Sequence, residues 1–200
     1  MIKLITLHAN DLSTKENKKL LSGSIAPRPI ALISTLQENN KLNMAPFSYF
    51  NIVSGEPPMI SVSVRYDTDN QKDTSLNILR EKEFVVHIIS REFLEKANET
   101  STSLGRDESE VEYADLTSIP SISIKTPGIK EAKVRFECEY ATHLHFEHTD
   151  LIIGRVVTYH INEEVYDNGK IKLDKLEPVS RLSGARYGMI GEIIKLETKK

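Results

Sequence analysis

The chain has 200 residues, 39% of them hydrophobic, and a formal net charge of −3 at pH 7, which suits one domain over residues 1–200 with one core. Its lysines and arginines are interspersed with acids instead of striped along one face, which argues against a nucleic-acid surface. Cys138 is the one cysteine, so no intrachain disulfide framework is possible and a reducing compartment fits; no apolar run approaches the roughly 20 residues of a membrane span, and Met1–Leu12 lacks a signal peptide's charged start and apolar centre, so the chain is expected to be cytoplasmic and off the membrane.

In chain order, Met1 to Leu12 is a mixed segment with the makings of an edge strand, and Thr14 to Leu21 is lysine-rich and weakly helical. Arg28, bracketed by Pro27 and Pro29, locks the approach to a strand over Ile30 to Thr35. Glu38 to Lys41 is a polar hairpin tip whose asparagines tolerate positive φ. The turn returns the chain to Asn43, so Arg28, Ser34 and Thr35 are delivered near it. The run Asn43-Met44-Ala45-Pro46-Phe47-Ser48-Tyr49-Phe50-Asn51 follows neither a period of 2 nor of 3.6 and reads as a shaped loop. Pro46 offers no N–H, so the Ala45–Ser48 backbone is expected to stay out of strand pairing and to keep its amides and carbonyls for a flat polar ligand.

Pro57-Pro58 forces an extended entry into Met59 to Arg65, where Ile60, Val62 and Val64 take one face and Ser61, Ser63 and Arg65 the other. That polar face meets either water or a bound ligand. Lys72-Asp73-Thr74-Ser75 stands where an apolar i, i+3 pattern begins, which describes a helix start with unpaired N–H groups, a cation and two hydroxyls suited to a phosphate. The helix closes by Glu83, and Phe84 to Ile89 is apolar enough for a strand covered on both faces. Phe93 to Thr102 is helical with Gly105 beyond its end; Asp107 to Asp115 is an acidic short helix or loop. Ile119 to Lys130 is a connection with one short strand. Long strands follow over Ala132 to Phe146 and Leu151 to Ile161, and Asp167-Asn168-Gly169 is a turn. Many short strands with few helices favour a closed or nearly closed antiparallel barrel with peripheral helices.

Taken together, Ala26-Pro27-Arg28-Pro29 through Thr35, the Asn43 to Asn51 run, Lys72-Asp73-Thr74 with Asn77, and Arg181-Leu182 with Gly184 and Tyr187 resemble the flavin reductase-like, FMN-binding split-barrel family that includes flavoredoxin. The resemblance covers nearly the whole chain in order. It implies a mainly β fold, a six-stranded antiparallel Greek-key split barrel with peripheral helices, usually a homodimer with FMN near the subunit interface. The implied activity moves a hydride or electrons from NAD(P)H, a transient donor, through FMN to a free flavin, a partner protein or a small acceptor. A non-catalytic FMN electron carrier or redox sensor is the alternative.

Under that resemblance Lys72, Thr74 and Ser75 would hold the FMN phosphate, which carries about two negative charges, with Asn77 matching the same motif. Thr74 would serve at the same time as helix cap, while Asp73, an acid beside a phosphate, is expected to cap the helix or pair with Lys72 or Arg28. Arg28 approaches the phosphate or ribityl chain, or else forms a surface ion pair. Asn43, Ser34, Thr35 and the Ala45, Pro46, Phe47 and Ser48 backbone would serve the polar edge of the ring, and Ser63 and Arg65 the ribityl path. One of Phe47, Tyr49 and Phe50 stacks on the ring unless all three are core. Arg181 and Tyr187 would close the site or come from a partner subunit. The flavin carries the hydride chemistry, so no side chain is named as catalytic.

His143, His145 and His148 cluster, but without a cysteine or paired carboxylates they read as structural or surface groups, not a metal site. Cys138 reads as a small buried hydrophobe. No dinucleotide, phosphate-loop or nucleophile-elbow motif occurs. Two positions depart from the family pattern: Lys41-Leu42, where glycine often precedes the asparagine, and His87, where asparagine is frequent.

Overall fold

The computed structural model describes residues 2–66, 70–105 and 108–197. Its main sheet has seven antiparallel strands: β1 Ala31–Leu36, β2 Leu42–Phe47, β3 Phe50–Gly55, β4 Pro58–Arg65, β5 Glu83–Ile88, β6 Val134–Phe146 and β7 Thr149–Ile161. They lie in the order β2-β1-β5-β6-β7-β4-β3. The two edge strands, β2 and β3, are consecutive in the chain, with only Ser48 and Tyr49 between them. Two residues reach no more than roughly 10 Å. The sheet therefore has to roll until its edges nearly meet, a barrel split along one seam.

Side-chain alternation shows the same closure. Ala31 and Ile33 of β1, Phe47 of β2, Val62 of β4, Phe84 of β5, Cys138 of β6 and Ile152 of β7 share one buried cluster, with Phe50 of β3 packed against it. All seven strands thus point into one interior. Residues of opposite parity, Leu32, Met44 and Leu42, belong to a second cluster outside the barrel with Phe93, Ala97 and Val111. Those last three come from a 3-10 turn at Arg91–Phe93 and two short helices, α3 Leu94–Glu99 and α4 Glu110–Tyr113. On β4 the alternation expected from the sequence holds: Ile60, Val62 and Val64 are buried while Ser61, Ser63 and Arg65 are half-buried on the other face.

The segment expected to be a shaped loop is instead the two edge strands. β2 pairs along its length with β1, Ala45 opposite Ile33 and Pro46 opposite Leu32. The physical reason is edge position. Glu110 takes the Met44 N–H from the open side, 3.0 Å away, so backbone groups two residues on, at Pro46, also face away from β1. Proline there removes no ladder hydrogen bond. Ala45 and Phe47 face β1, so the backbone open to a ligand is that of Pro46 and of Ser48 beyond the ladder.

Helix α1 spans Thr14–Ser24 and α2 Asp73–Glu81. A capping box between Ser13 and Glu16 starts α1, an arrangement worth about 1 kcal/mol. The segment expected as an edge strand near the start, residues 2–8, pairs with no strand and leads into a 3-10 turn at Ala9–Asp11. Lys72 is the N-cap of α2, and neither it nor Thr74 makes a side-chain cap bond. Asp73 falls in the first turn. Of the acidic stretch read as a short helix or loop, α4 is the helical part, and Asp107 lies outside the described residues. A small sheet joins Arg28–Pro29, Val179–Arg181 and Tyr187–Met189, with Arg28 opposite Arg181. The Asp167-Asn168-Gly169 turn closes a two-stranded hairpin, with φ of 46° at Asn168 and 82° at Gly169, as a type I′ turn requires. Among the described residues no helix is long and apolar enough to cross a membrane.

Candidate functional site

Two clefts open at the seam. The larger, about 830 Å³, is walled by α1, the Arg28 strand, the Pro46–Tyr49 end of the seam, β4, α3 and the Arg181–Tyr187 tail. The smaller, about 590 Å³, lies between Asn43–Phe47 of β2, the start of α2 and residues 100–104. They share Pro46, Phe47, Lys72 and Ser101. Both volumes fall in the range of small-molecule sites.

Along α1, Lys15, Lys18, Lys19 and Ser22 line the larger cleft. Their i, i+3, i+4, i+7 spacing puts them on one helical face. Leu20 and Leu21 point away from it and are exposed. Sequence reading marked this helix as lysine-rich without assigning it to the site; the spacing was the available signal.

Arg28 is buried, and it is not a surface ion pair. Its Nη1 donates to Ser22 O at 2.6 Å and Ile25 O at 2.5 Å, and its Nη2 to Leu182 O at 3.0 Å. One guanidinium thus ties the end of α1 to the tail. Its Nε is buried with no hydrogen-bond partner among the described residues, a donor left unmet on the cleft wall. Opposite it, Arg181 donates from Nη1 to Tyr187 Oη at 2.6 Å and lies 4.6 Å over that ring. Tyr187 in turn donates to Asn98 Oδ1 of α3 at 2.7 Å. Asn98 is a cleft residue that the sequence reading did not single out.

Ser63 and Arg65, from the polar face of β4, also line the larger cleft, as do Ser48 and Tyr49. Seven of its described lining residues are cations and none is a carboxylate. In a chain of net charge −3, that is a strong local reversal of sign, and a cleft with low-dielectric walls focuses such a field on anions.

The smaller cleft is mixed. It brings Asn43, Ala45, Pro46 and Phe47 together with Lys72, Asp73 and Thr74, and adds Glu110. Burial pushes the Glu110 carboxyl above its ordinary pKa, against the opposing hydrogen bond from Met44 N–H. The Asn43 amide donates to Thr35 Oγ1 at 3.2 Å and Thr74 Oγ1 at 3.1 Å, so β2 and the start of α2 are bonded side chain to side chain.

Four residues expected at the cofactor line neither cleft, because their polar groups are spent inside the protein. Ser34 donates to Pro127 O at 2.7 Å. Thr35 accepts from both Asn43 and Asn77, the latter at 3.0 Å. Ser75 donates to Asp150, which is fully buried. Asp150 also accepts from Gln71 at 2.7 Å and Tyr66 at 2.9 Å and pairs with His145 Nδ1 at 2.9 Å. Burial pushes the Asp150 carboxyl up, but the bonds from Ser75, His145, Gln71 and Tyr66 together hold it below the ordinary carboxylate value. A buried anion thus anchors the α2 start from beneath, leaving Lys72 and Thr74 on the cleft side.

Phe47 faces the barrel interior, and Phe50 packs against the same cluster. Of the three aromatic candidates, Phe47 and Tyr49 line the larger cleft. His143 bonds Tyr140, and no group of three His, Cys, Asp or Glu among the described residues is placed to hold a metal ion.

A family model for the flavin reductase like domain matches residues 23–175, which span the barrel, α2 and the smaller cleft; the α1 lysines and the Arg181–Tyr187 tail that wall the larger cleft lie outside that range. The chain belongs to that family. Among solved structures, nitrilotriacetate monooxygenase component B from Bacillus cereus is 42% identical, superimposes with a TM-score of 0.96, and is matched over 98% of this chain and 100% of that one. The 2-nitrobenzoate 2-nitroreductase NbaA of Pseudomonas fluorescens is 26% identical, with a TM-score of 0.90 over 98% and 96% of the two chains. A Shewanella frigidimarina chain described as having a split barrel domain shares the fold at 21% identity and a TM-score of 0.84, over 95% and 96% of the two chains. This flavin reductase-like chain thus keeps the split barrel, built here from seven strands where six were expected.

Proposed function

We propose that this protein binds FMN across the seam and acts as an oxidoreductase that takes a hydride from NADH or NADPH and passes electrons to a free flavin, a partner protein or a small acceptor. The observation that carries the reading is the junction at Pro46, Phe47, Lys72 and Ser101, where a cationic cleft with no carboxylate among its described lining residues meets the open edge of β2 and the start of α2. Family membership supports the flavin, and the likeness to two solved relatives, a monooxygenase component and a nitroreductase, supports redox turnover.

The residues present fit FMN. Lys72 and the first turn of α2 suit a phosphate, the Pro46 and Ser48 backbone offers hydrogen-bonding groups to a ring edge, and the unmet Arg28 Nε suits an acceptor atom. When bound, the flavin supplies hydride acceptance and onward electron transfer. This chain's share is to hold it, to exclude water with Phe47 and Tyr49, and to place Arg181 where positive charge lowers the cost of adding electrons to the ring. The test is an absorbance spectrum of the protein as isolated, then anaerobic NADH or NADPH. Expected are a yellow protein, bleaching by at least one nucleotide, and FMN affinity at least about tenfold weaker in Lys72→Ala, since a charge-assisted bond is worth about 1.5–3 kcal/mol. A flavin that neither nucleotide reduces would overturn the NAD(P)H reading and leave an electron carrier.

We also propose that the protein is a homodimer. Helix α1 buries no residue, and an isolated helix of that length is marginal in water. Leu20, Leu21 and Ile25 are exposed on and beside it, as are Ile2, Leu4 and Ile5 before it and Ile193, Ile194 and Leu196 near the other end. A second copy covering these groups would explain why α1 turns lysines inward and leucines outward.

A further inference from the structure

We propose that the lysine face of α1 is a binding site for a phosphate monoester of the electron donor, the 2′-phosphate that distinguishes NADPH from NADH. The inference rests on the oxidoreductase reading above and names the donor for the same site.

Charge and placement carry it. An FMN phosphate and a dinucleotide pyrophosphate together bring roughly four negative charges, and the larger cleft offers seven cations with no carboxylate among its described lining residues. Lys72 belongs to both clefts and stands at the α2 start. Arg28 is spent on the backbone carbonyls of Ser22, Ile25 and Leu182, while Arg65 and Arg181 hold planar, multi-donor groups suited to a pyrophosphate or a ring edge. Lys15, Lys18 and Lys19 remain, on a helix that borders only the larger cleft. From Lys15 to Ser22 the helix rises about 10 Å, so these point charges line one stretch of wall. Compact ammonium groups on flexible stems suit a freely turning phosphate monoester dianion, where a fixed guanidinium fork suits planar geometry.

The helix is built to present that face. The Ser13–Glu16 capping box consumes the one acid of its first turn. Asn17 Nδ2 donates to Ala9 O at 2.9 Å, tying the helix to the preceding turn, and Arg28 grips its far end through Ser22 O and Ile25 O. None of these anchors uses a lysine.

The test titrates NADP⁺ and NAD⁺ into the FMN-loaded full-length protein by calorimetry, beside anaerobic reduction rates with NADPH and NADH. Expected are at least tenfold tighter binding of NADP⁺ than of NAD⁺, a matching preference in kcat/KM, and collapse of both ratios to less than threefold in the K15Q/K18Q/K19Q variant. Because the three side chains are exposed, that variant should fold, and FMN binding followed by flavin fluorescence should stay within twofold. Equal affinity for the two nucleotides overturns the assignment while leaving the oxidoreductase reading intact. So does a preference that survives the triple substitution. If neither nucleotide binds or reduces the flavin, both readings fail together.

Discussion

His87 lies wholly buried in β5, and its ring is held at both ends: Nδ1–H donates to Leu32 O at 2.9 Å and Nε2 accepts the Ile129 N–H at 3.1 Å. Both nitrogens are therefore used by the neutral ring. Burial lowers its pKa to about 4, against a smaller raising effect of the Leu32 bond. An unfolded histidine titrates near about 6.5. Between those values the unfolded chain binds more protons, so stability is fullest above about pH 6.5 and falls as pH drops toward 4, by up to about 1.4 kcal/mol per unit. Asp150 and Glu137 act lower. Both are buried carboxylates whose hydrogen bonds outweigh burial and depress their pKa, so their contribution is present above the ordinary carboxylate range and is lost as pH falls through their folded values. Denaturant midpoints measured from pH 7.5 to 4.5 should fall in the native protein and fall less steeply in His87→Asn, whatever that variant loses overall. Parallel slopes would refute the assignment to His87. At this scale the sequence was hardest to read. Ser34, Thr35, Ser75 and Asn77 have the right chemistry for a ligand, but their partners lie at Pro127, Asn43, Asp150 and Thr35, between 8 and 93 residues away along the chain. Whether a hydroxyl meets a ligand or a neighbour is decided by packing, not by composition.

At the level of elements, pattern was more legible, and its failures have clear causes. The β4 alternation, the helix start at Asp73 and the Asn168-Gly169 turn all follow from local rules. The β2–β3 run was misread because proline was taken as a breaker, although an edge strand accepts it on the side away from its partner. The face of α1 could be drawn from its spacing, but not which way it turns. Long-range packing also leaves marks that no periodicity predicts. Gly154 on β7 lies against Phe84, where an added Cβ would clash with Cζ and come 2.9 Å from Cε1. Phe84 is fully buried, so the ring has little room to yield. Gly154→Ala should cost about 1–3 kcal/mol, a fall in Tm of roughly 2–12 °C, and Phe84→Leu in the same chain should recover part of it. An unchanged Tm in the single variant would mean that the two strands are not packed this closely.

For the whole molecule, the distribution of apolar surface sets the expectation. The barrel buries its own interior, and many of the exposed aliphatic groups, though not Ile52, Val53, Ile122 or Leu144, lie on or beside α1 and on the segments near either end of the chain. Sedimentation should give a dimer, and Leu21→Lys, which places a charge on the outward side of α1, should shift it toward monomer with the flavin spectrum retained if each site is complete within one chain. A wild-type monomer at micromolar concentration would rule the dimer out. The rolled sheet carries a consequence of its own. Every strand junction but one is closed by a hydrogen-bonded ladder, and the exception is bridged by two residues whose neighbours form the floor of the binding clefts. A ligand bound there as proposed would supply cohesion where the wall has none. Its departure would leave the barrel free to breathe along that line first, so occupancy of the site and tightness of the fold are one variable.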